Sequence, residues 1–434
     1  MGLFNWLRHL LGFGNPENRP DQSPDSPGSP AATSPRVGRV KRRPKKRRRA
    51  KLVPLRYCSS KRIGGQTSSV GRRAYRFARP SMRGGWLDLS LDQDASRLER
   101  FSLPSLCVPD DLAIWLEIPL GQLAWLVHRF EEEQCPPDEH AAHYCYRWIK
   151  KRTGGNRLIE APKPKLKRVQ WRILDGILGR VPPHPATHGF VAGRSICTNA
   201  QPHVGQRVIL KLDLENFYPS VSLNRVVAIF RSLGYCREAA IWLGRLTTTS
   251  LPAAMHRQNE SNSDFKPYLG RRLPQGAPTS PALANLSAFS LDLRLAGLAR
   301  SFGANYTRYA DDLTFSGDEQ FLRSLAVFIP LVDQIVRSER FLLNKKKRKV
   351  IRNNQRQTVT GVVVNTHPNV ARPDYDTLKA ILTNCIRRGP STQNHDRHER
   401  FSAHLQGRIA HVLQLNRGRG ERLRQLFEQI DWNK

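Results

Sequence analysis

The spacing of apolar residues changes along the chain and divides it into parts. Apolar positions at helical spacing follow Asp110, and Pro119 separates them into two short predicted helices. From 138 onward short apolar runs, of which 208–214 is the clearest, predict strands mixed with helices. Helical spacing returns at Asp374, and its first stripe ends at the Gly-Pro pair 389–390. We therefore predict an α+β fold whose last part is helical.

The first hundred residues have a different character. Apolar positions within 1–14 predict a short amphipathic helix that touches a membrane or a partner, or that frays. The segment 15–34 is rich in Pro, Ser and Asp, which is typical of a disordered linker. Eleven positions within 36–51 are Lys or Arg. This block favours phosphate neutralisation on nucleic acid over a solvated tail, and a nuclear localisation signal would have the same composition. We predict a disordered, basic extension over 1–105.

Charge and composition narrow the choice of partners. The 434 residues include 71 Lys and Arg against 36 Asp and Glu, a formal net charge of +35. An excess of this size favours a polyanionic partner, nucleic acid before an anionic membrane surface. No run of about 18 apolar residues is present, so we predict no transmembrane segment. The seven cysteines include no Cys-x-x-Cys pair. We therefore expect neither a zinc ribbon nor disulfides, and a reducing cytoplasm fits best.

The candidate chemistry centres on the tetrapeptide Tyr-Ala-Asp-Asp at 309–312. It lies between two predicted strands, 304–308 and 313–315, so two adjacent carboxylates fall at the tip of a hairpin. A divalent cation bound between such carboxylates would offset the repulsion between their charges. Acidic turns without a cation are also common on protein surfaces. Asp213, in the apolar strand 208–214, is a third carboxylate that is costly to bury unless paired or bound to metal. Carboxylates from separate strands are what two-metal phosphoryl transfer requires.

A turn rich in proline lies between the two acidic strands. It reads Leu-Pro-Gln-Gly-Ala-Pro-Thr-Ser-Pro over 273–281 and precedes a predicted helix over 282–298. Gly276 permits close backbone approach to a ligand, and the prolines fix the entry into the helix. An ordinary rigid loop before a helix would have the same residues.

These motifs, in this order, resemble those of the reverse transcriptases. Motifs A to D of that family's palm are matched by Asp213-x-x-x-x-Tyr218, the turn 273–281, the tetrapeptide 309–312 and Asn-Lys-Lys-Lys at 344–347. Outside the palm, the segment Lys-Lys-Arg-Thr-Gly-Gly-Asn-Arg-Leu-Ile-Glu-Ala-Pro at 150–162 is similar to the fingers of bacterial members.

Two further elements are similar to those of retron reverse transcriptases. Asn-Ala-Gln-Pro-His at 199–203 matches an Asn-Ala-x-x-His element, and Val-Thr-Gly at 359–361 matches a second one. The resemblance covers about 106–434 and implies a right-hand polymerase fold with fingers, an antiparallel-sheet palm and a helical thumb. We expect fingers and palm over 106–365 and the thumb over 366–434.

The resemblance also implies catalytic roles. The catalytic residues implied are Asp213, Asp311, Asp312 and Lys347. The three acids would serve a site for two Mg²⁺ ions, with Mn²⁺ as a substitute, and the first two acids would be direct ligands. Lys347 would protonate the pyrophosphate leaving group, a role for which its neighbours Lys345 and Lys346 are alternatives.

A second implied set binds the incoming dNTP. Its members are Lys150, Arg157, Tyr218, Gln275 and Gly276. The two cations would clamp the triphosphate, with Lys151 as an alternative, and a solvated basic hairpin is the simpler interpretation. Tyr218 would stack under the sugar and exclude a 2′-hydroxyl, and Phe217 would take that role if the register shifts by one.

A third implied set contacts template RNA. Its members are Asn199, His203, Val359, Thr360 and Gly361, although a single histidine is more often structural. The implied activity is RNA-directed DNA synthesis on a dedicated structured noncoding RNA, which supplies both the template and, through a guanosine 2′-hydroxyl, the first primer. The product would be a small single-stranded DNA in a branched RNA–DNA hybrid. An effector protein would complete a bacterial system of defence against phage.

Two other functions stay open. A group II intron maturase or a diversity-generating reverse transcriptase would share the palm motifs. A maturase usually carries a long DNA-binding or HNH region after the thumb, and we expect none here. A non-catalytic RNA-binding protein would share the basic surface, but it has no reason to keep three carboxylates suited to metal.

Overall fold

The structure is a computed structural model. It describes the residues 89–128, 135–136, 138–151, 154–258 and 263–432. All of these belong to one unit that spans 52–434. The amphipathic segment, the linker and the basic block that the sequence predicts over 1–51 lie outside the described residues.

Eight strands and fourteen α-helices are present in the described residues. The strands are β1 (Tyr144–Lys150), β2 (Asn156–Pro162), β3 (Val208–Asp213), β4 (Asn305–Tyr309), β5 (Asp312–Gly317), β6 (Lys349–Arg352), β7 (Thr358–Val359) and β8 (Val362–Val363). The helices are α1 (Ala95–Arg100), α2 (Pro109–Leu116), α3 (Leu120–His128), α4 (Pro164–Gly176), α5 (Ile196–Ala200), α6 (Leu223–Ser232), α7 (Arg237–Thr247), α8 (Ala253–Gln258), α9 (Ser280–Ser287), α10 (Phe289–Ser301), α11 (Glu319–Ser338), α12 (Arg372–Arg388), α13 (Phe401–Leu415) and α14 (Arg417–Glu428).

The central sheet has four strands in the order β4-β5-β3-β6. Each neighbouring pair is antiparallel, and the register sets Asp213 at the end of β3 opposite Asp312 at the start of β5. Side chains alternate between the two faces of a strand. Val208, Leu210 and Leu212 therefore enter one core together, and the residues between them face the other way.

Helices α10 and α11 cover the first face of the sheet. The apolar residues of α11 recur at helical spacing, and Phe321 and Phe328 are fully buried. The Phe328 ring lies edge-on against Phe315 of β5, with 5.1 Å between ring centroids. Asp318 begins the helix by accepting a hydrogen bond from the Phe321 N–H at 3.0 Å. The sheet and the helix are thereby fixed to each other.

The second face of the sheet meets a separate core. Ile209 of β3 lies there with Ala200 of α5 and with Val359 and Val362 of the β7–β8 hairpin. The last three helices contribute most of the rest of this core. They confirm the helical character predicted from Asp374 onward.

The folded part begins earlier than the predicted boundary at 106. Leu98 of α1 is 2% exposed and lies in the main core with Leu103 and Leu106. The prediction of a disordered extension over 1–105 is therefore wrong for 89–105, because these leucines have apolar partners that no local pattern reveals.

The helix predicted over 282–298 is in fact two. The helices α9 and α10 meet at Ala288, whose φ of −91° and ψ of 5° depart from helical values. The break turns the chain so that α10 can run beside β4. Among the described residues, no helix has both the length and the apolar character to cross a membrane.

Candidate active site

The three predicted catalytic carboxylates lie at one end of the central sheet, and we call them the acidic cluster (Asp213, Asp311 and Asp312). The two-residue turn between β4 and β5 carries Asp311, and Asp312 opens β5 directly opposite Asp213. The Asp311 carbonyl accepts a hydrogen bond from the Leu214 N–H at 2.9 Å. This bond ties the turn to the end of β3 and holds the carboxylates of two strands together.

The acidic cluster holds more negative charge than its surroundings offset. Burial, together with the charges of Asp312 and Asp213, raises the pKa of Asp311 to about 6. Burial also raises the pKa of Asp312, with Asp213 adding to the effect and Lys211 and Lys347 opposing it. Carboxylates in this position are stabilised by an added cation.

Lys347 is the lysine of its run that reaches the acidic cluster. Its Nζ lies 2.9 Å and 3.1 Å from the two carboxylate oxygens of Asp213. The Asp213 side chain is 11% exposed and the Lys347 side chain 40% exposed, so the pair sits at the edge of solvent. Lys345 and Lys346 are exposed and have no such contact within the described part of the chain.

The donor set fits a divalent cation that shares its ligands with a substrate. Among the residues that the structure describes, no three His, Cys, Asp or Glu side chains form a ready-made metal site. Mg²⁺ is usually held by one or two carboxylates together with substrate phosphates and water, so a complete protein cage is not expected. Asp213 and Asp311 supply the carboxylates, and burial with the charges of Asp312 and Asp213 raises the pKa of Asp311, an effect that a bound cation would oppose.

Tyr218 and Phe217 have different environments, which separates the two alternatives for the sugar contact. Phe217 is 4% exposed and packs against Phe341 with 5.7 Å between ring centroids. Tyr218 is half-buried. Burial raises the pKa of its hydroxyl, and the nearby charge of Asp311 raises it further while Arg157 opposes the change. Tyr218 is therefore the aromatic residue beside both the acidic cluster and the predicted triphosphate clamp.

The β1–β2 ribbon brings one of the two predicted clamp residues to the side that faces Tyr218. Lys150 pairs with Asn156, and Ile149 pairs with Arg157. Directly opposed residues share a face of the ribbon, and neighbours along a strand alternate. Lys150 and Arg157 therefore lie on opposite faces of the ribbon. The Lys151 N–H donates to the Gly155 carbonyl at 3.0 Å, which extends the pairing by one residue. This places Lys151 on the same face as Arg157. The register favours Lys151 over Lys150.

Gln275 and Gly276 are held against β2. The Gln275 carbonyl accepts a hydrogen bond from the Glu160 N–H at 2.8 Å. Gly276 has φ of 132°, and a Cβ there would lie 3.1 Å from the Glu160 carbonyl oxygen. The close neighbour of Gly276 is thus the β2 backbone. This contact and the positive φ explain why the position is a glycine, and no ligand is needed for that explanation. The Glu160 carboxylate is 2.8 Å from Arg272 in a fully buried ion pair that fastens the same junction.

Asn199 and His203 do not offer side chains to RNA, contrary to the prediction. His203 is 0% exposed, and its ring nitrogens lie 2.6 Å from the Ser316 hydroxyl and 2.8 Å from the Thr307 hydroxyl. Burial lowers the pKa of His203 to about 3, so the ring stays neutral. Asn199 is 1% exposed and donates to Thr360 Oγ1 at 3.3 Å. Asn199 joins α5 to the β7–β8 hairpin, and His203 joins the turn after α5 to β4 and β5.

The Val-Thr-Gly element forms the β7–β8 hairpin. Val359 is fully buried, so the predicted RNA contact by its side chain is also wrong. Thr360 and Gly361 make the turn, with φ of 46° and 85°. Both values lie in the left-handed region, which glycine adopts without strain and threonine does not. Both turn residues reach the surface in part, and a role for them in RNA contact stays a prediction.

One pair of buried charges beside the acidic cluster was absent from the predicted site. Arg308 of β4 and Asp292 of α10 are both 0% exposed and lie 2.7 Å apart. The sequence does contain a signal, since an Arg in a buried strand and an Asp on the apolar side of a helix each need a partner. Which partner each one takes is set by the fold.

Comparisons with known proteins agree with one another. The family model described as "Reverse transcriptase (RNA-dependent DNA polymerase)" matches 149–364. The retron Mx65 reverse transcriptase of Myxococcus xanthus is 39% identical over 380 residues, which are 87% of this chain and 84% of that protein. The retron Ec86 reverse transcriptase of Escherichia coli is 36% identical over 52% of this chain and 64% of that protein. A solved structure of Candida albicans telomerase with a telomeric RNA fragment aligns over 70% of this chain and 64% of the telomerase chain, at 12% identity. Its TM-score is 0.39, and we draw no conclusion from this likeness.

Proposed function

Since this chain belongs to the retron-type reverse transcriptases, which are RNA-directed DNA polymerases, we propose that it copies one dedicated structured RNA into a short single-stranded DNA. The acidic cluster is the active site of this synthesis. The observation that carries the proposal is the pairing of Asp213 with Asp312 across two strands, with Asp311 in the adjoining turn and an excess of negative charge among them. The central sheet is the palm in this proposal, and the C-terminal helices form the thumb.

The chemistry assigned to the acidic cluster is nucleotidyl transfer. A primer hydroxyl attacks the α-phosphorus of a dNTP in line, and pyrophosphate leaves. Two Mg²⁺ ions, for which Mn²⁺ can substitute, would be held by Asp213 and Asp311 and would lower the pKa of the hydroxyl and offset charge on the leaving group. Asp312 adds negative charge that favours their binding.

Other residues of the chain orient the nucleotide and move a proton. Arg157, on the ribbon face toward Tyr218, binds the triphosphate together with Lys151 or Lys150. Lys347, held at Asp213 at 2.9 Å, is positioned to donate a proton to the departing pyrophosphate oxygen. Gln275 and Gly276, fixed against β2, form the wall of the nucleotide pocket.

Tyr218 selects deoxynucleotides in this proposal, because its ring would collide with a 2′-hydroxyl. Tyr218→Val should raise the incorporation of ribonucleotides relative to deoxynucleotides by about 100-fold. Phe217→Leu is the matched control: it removes a buried aromatic ring and should lower stability without changing sugar selection. Equal sugar selection in wild type and Tyr218→Val would assign the contact elsewhere.

The RNA partner follows from the relatives and from charge. We propose that a structured noncoding RNA provides the template and the first primer hydroxyl, that the product is a branched RNA–DNA hybrid, and that an effector protein acts with the complex in the bacterial cytoplasm against phage. The net charge of +35 supports an RNA partner of this kind. The turn residues Thr360 and Gly361 are the remaining candidates for RNA contact among the motif residues.

The test is to co-express the full chain with the DNA that flanks its gene, where we expect the noncoding RNA to be encoded, and to purify the complex. Deproteinised and ribonuclease-treated samples are then examined for a DNA of discrete length. Wild type should yield it and Asp311→Ala/Asp312→Ala should not, while Asp333→Ala on α11 serves as a control for loss of an acid elsewhere. A discrete DNA from the double variant would contradict the assignment of the active site.

The same preparations separate the alternatives. Incorporation of dNTPs on a supplied primer and template, without a discrete copurified DNA, would move the chain to another reverse transcriptase class such as a group II intron or diversity-generating enzyme. RNA binding without any incorporation would favour a non-catalytic RNA-binding protein.

A further inference from the structure

Arg308 is a buried cation with every hydrogen-bond donor satisfied. Its guanidinium has five N–H groups, and five acceptors surround it. These are Asp292 Oδ1 at 2.8 Å, Asp292 Oδ2 at 2.7 Å, Asn285 Oδ1 at 3.0 Å, Thr187 Oγ1 at 2.9 Å and the Ala310 carbonyl at 2.9 Å. The residue directly precedes the Tyr-Ala-Asp-Asp tetrapeptide in the sequence.

Both carboxylate oxygens of Asp292 also have hydrogen-bond donors. Its carboxylate accepts from the guanidinium at both oxygens, from the Tyr306 hydroxyl at 2.7 Å and from the Thr187 hydroxyl at 2.9 Å. A buried ion pair is costly to desolvate, and apolar residues of similar volume are often no less stable. Stability alone is therefore a weak reason for this pair, and its contacts suggest a different one.

One of the five bonds of Arg308 ends on the catalytic turn itself. The acceptor is the carbonyl of Ala310, the residue between Tyr309 and Asp311. Ala310 has φ of 56°, a left-handed conformation that is uncommon outside glycine and needs surrounding contacts to hold it. The carbonyl of the next residue, Asp311, accepts the Leu214 N–H at 2.9 Å. The guanidinium thus acts one peptide away from a catalytic carboxylate.

The segment 186–189, which lies outside the sheet, packs closely against the same turn. The Arg308 N–H donates to the Ala186 carbonyl at 2.8 Å, and the His188 N–H donates to the Arg308 carbonyl at 2.8 Å. A Cβ on Gly189 would lie 2.6 Å from the Ala310 backbone nitrogen, which a real Cβ cannot do without a shift. Asn285 donates to the Gly189 carbonyl at 2.9 Å and accepts from Arg308, so it joins the two supports.

We propose that Arg308, Asp292, Asn285 and Gly189 are positioning residues that form a brace under the catalytic turn and set the position of Asp311 relative to Asp213. None of the four touches the reacting atoms. The inference rests on the proposed function, because it assumes that the acidic cluster performs the synthesis. The brace acts through geometry: a displaced Ala310 peptide moves the Asp311 carboxylate, and misplacement by about 1 Å can cost 100-fold in rate.

Two substitutions disturb the brace from independent sides. Arg308→Lys keeps the charge beside Asp292 but has three donors in place of five, so it cannot satisfy all five acceptors. Gly189→Ala leaves the ion pair intact and pushes on the Ala310 backbone. The second variant carries the test if the first does not fold.

Each substitution has a matched control on α10. Arg294→Lys alters an Arg that pairs with Glu339 at the surface, with 44% of its side chain exposed. Gly297→Ala adds a Cβ that meets nothing within 4 Å. Both controls lie on the helix that carries Asp292, and neither contacts the turn.

The full chain is examined with three measurements. Active-site titration gives the rate of dNTP incorporation per functional molecule, and a Mg²⁺ titration gives the half-saturating concentration. Hydrogen exchange of the Leu214 amide reports the bond to the Asp311 carbonyl and needs no catalysis. If the four residues only stabilise the fold, their substitution lowers the number of functional molecules. In the molecules that remain functional, the rate, the half-saturating Mg²⁺ concentration and the Leu214 exchange rate would then be unchanged.

We expect Arg308→Lys and Gly189→Ala to lower the rate per functional molecule by about 100-fold. Both should also raise the half-saturating Mg²⁺ concentration and speed Leu214 exchange, with both controls within about twofold of wild type. Rates and Leu214 exchange within about twofold of wild type in folded Gly189→Ala would overturn the brace. A wild-type chain that incorporates no dNTP would instead contradict the proposed function, and Leu214 exchange would still decide whether the brace holds the turn.

Discussion

Two sets of motif residues flank the same face of the central sheet, and their chemistry differs. At one end is the acidic cluster, whose carboxylates repel one another and remain at the edge of solvent. Toward the other end is a unit formed by 196–203 and 358–363, which we call the helix–hairpin unit. Its His203 bonds to Ser316 of β5 and Thr307 of β4 with both ring nitrogens.

The two regions differ in how far burial and hydrogen bonds satisfy their polar side chains. The His203 ring has both nitrogens occupied and a pKa lowered to about 3 by burial, so little free energy is left for a ligand to gain. The pKa of Asp311 is raised to about 6, mainly by burial, and a cation or proton would relieve that unfavourable charge. The helix–hairpin unit therefore supports the sheet that carries the acidic cluster.

The largest expected effect that separates the two regions comes from Asp213→Asn. It removes a predicted metal ligand and the partner of Lys347, and should lower dNTP incorporation by about 1,000-fold or more while RNA affinity stays within about twofold. Asp333→Asn, which alters the exposed pair with Arg337 on α11, is the matched control. Incorporation within about tenfold of wild type would remove Asp213 from the active site.

His203→Ala should act on stability rather than on RNA. It leaves the Ser316 and Thr307 hydroxyls without their partner and opens a cavity, which should lower the free energy of unfolding by about 3 kcal/mol. RNA affinity of the folded fraction should not change. His411→Ala, at an exposed position on α13, is the control. A loss of RNA affinity in folded His203→Ala, with the melting temperature unchanged, would restore the RNA-contact interpretation.

The β1–β2 ribbon extends the comparison to residues that differ only in register. Lys151→Ala should raise the KM for dNTP by about tenfold, because Lys151 lies in register with the Arg157 face, and Lys150→Ala should change it by less than about twofold. Steady-state kinetics on the two variants decides between them. A larger effect at Lys150 would show that the twist of the ribbon overrides the pairing.

The smallest expected effects are on stability as pH changes, and they have opposite signs in the two regions. The folded-state pKa of Asp311 is raised to about 6, so its charge destabilises the metal-free fold above that pH, and the penalty disappears as pH falls from about 7 to 4. The folded-state pKa of His203 is lowered to about 3, so its stabilising contribution is complete above pH 6.5 and is lost as pH falls below that value.

Variants isolate each of these effects from the rest of the chain. In metal-free buffer, Asp311→Asn should unfold at higher denaturant than wild type at pH 7, by about 2 kcal/mol, and the gap should close by pH 4. The deficit of His203→Ala should instead shrink as pH falls from 7 to 5. A gap for Asp311→Asn that is constant with pH would contradict the raised pKa.

Much of the central sheet could be predicted from the sequence. The apolar run 208–214 became β3 at Val208–Asp213, and the strand predicted over 304–308 became β4 at Asn305–Tyr309. These predictions succeed because an apolar run in an otherwise polar chain must be buried, and because two adjacent acids mark a turn between two such runs.

The partners of buried polar residues could not be predicted. His203 meets Ser316 and Thr307 more than 100 positions further along the chain, and no local pattern fixes contacts at that distance. Arg308 lies in a buried strand and Asp292 on the apolar side of a helix, so each charge is expected to have a partner. Which residues pair depends on where α10 crosses β4. The face of Lys150 depends on a strand register that motif spacing alone does not contain.

The central claim is that DNA synthesis takes place at the acidic cluster, and the most direct test measures synthesis and RNA affinity on the same preparations. Wild type and Asp311→Asn/Asp312→Asn are compared for Mg²⁺-dependent dNTP incorporation on a supplied RNA template and DNA primer. The account predicts that the double variant loses incorporation and retains RNA affinity within about twofold of wild type. Incorporation by the double variant at a rate near that of wild type would contradict the account.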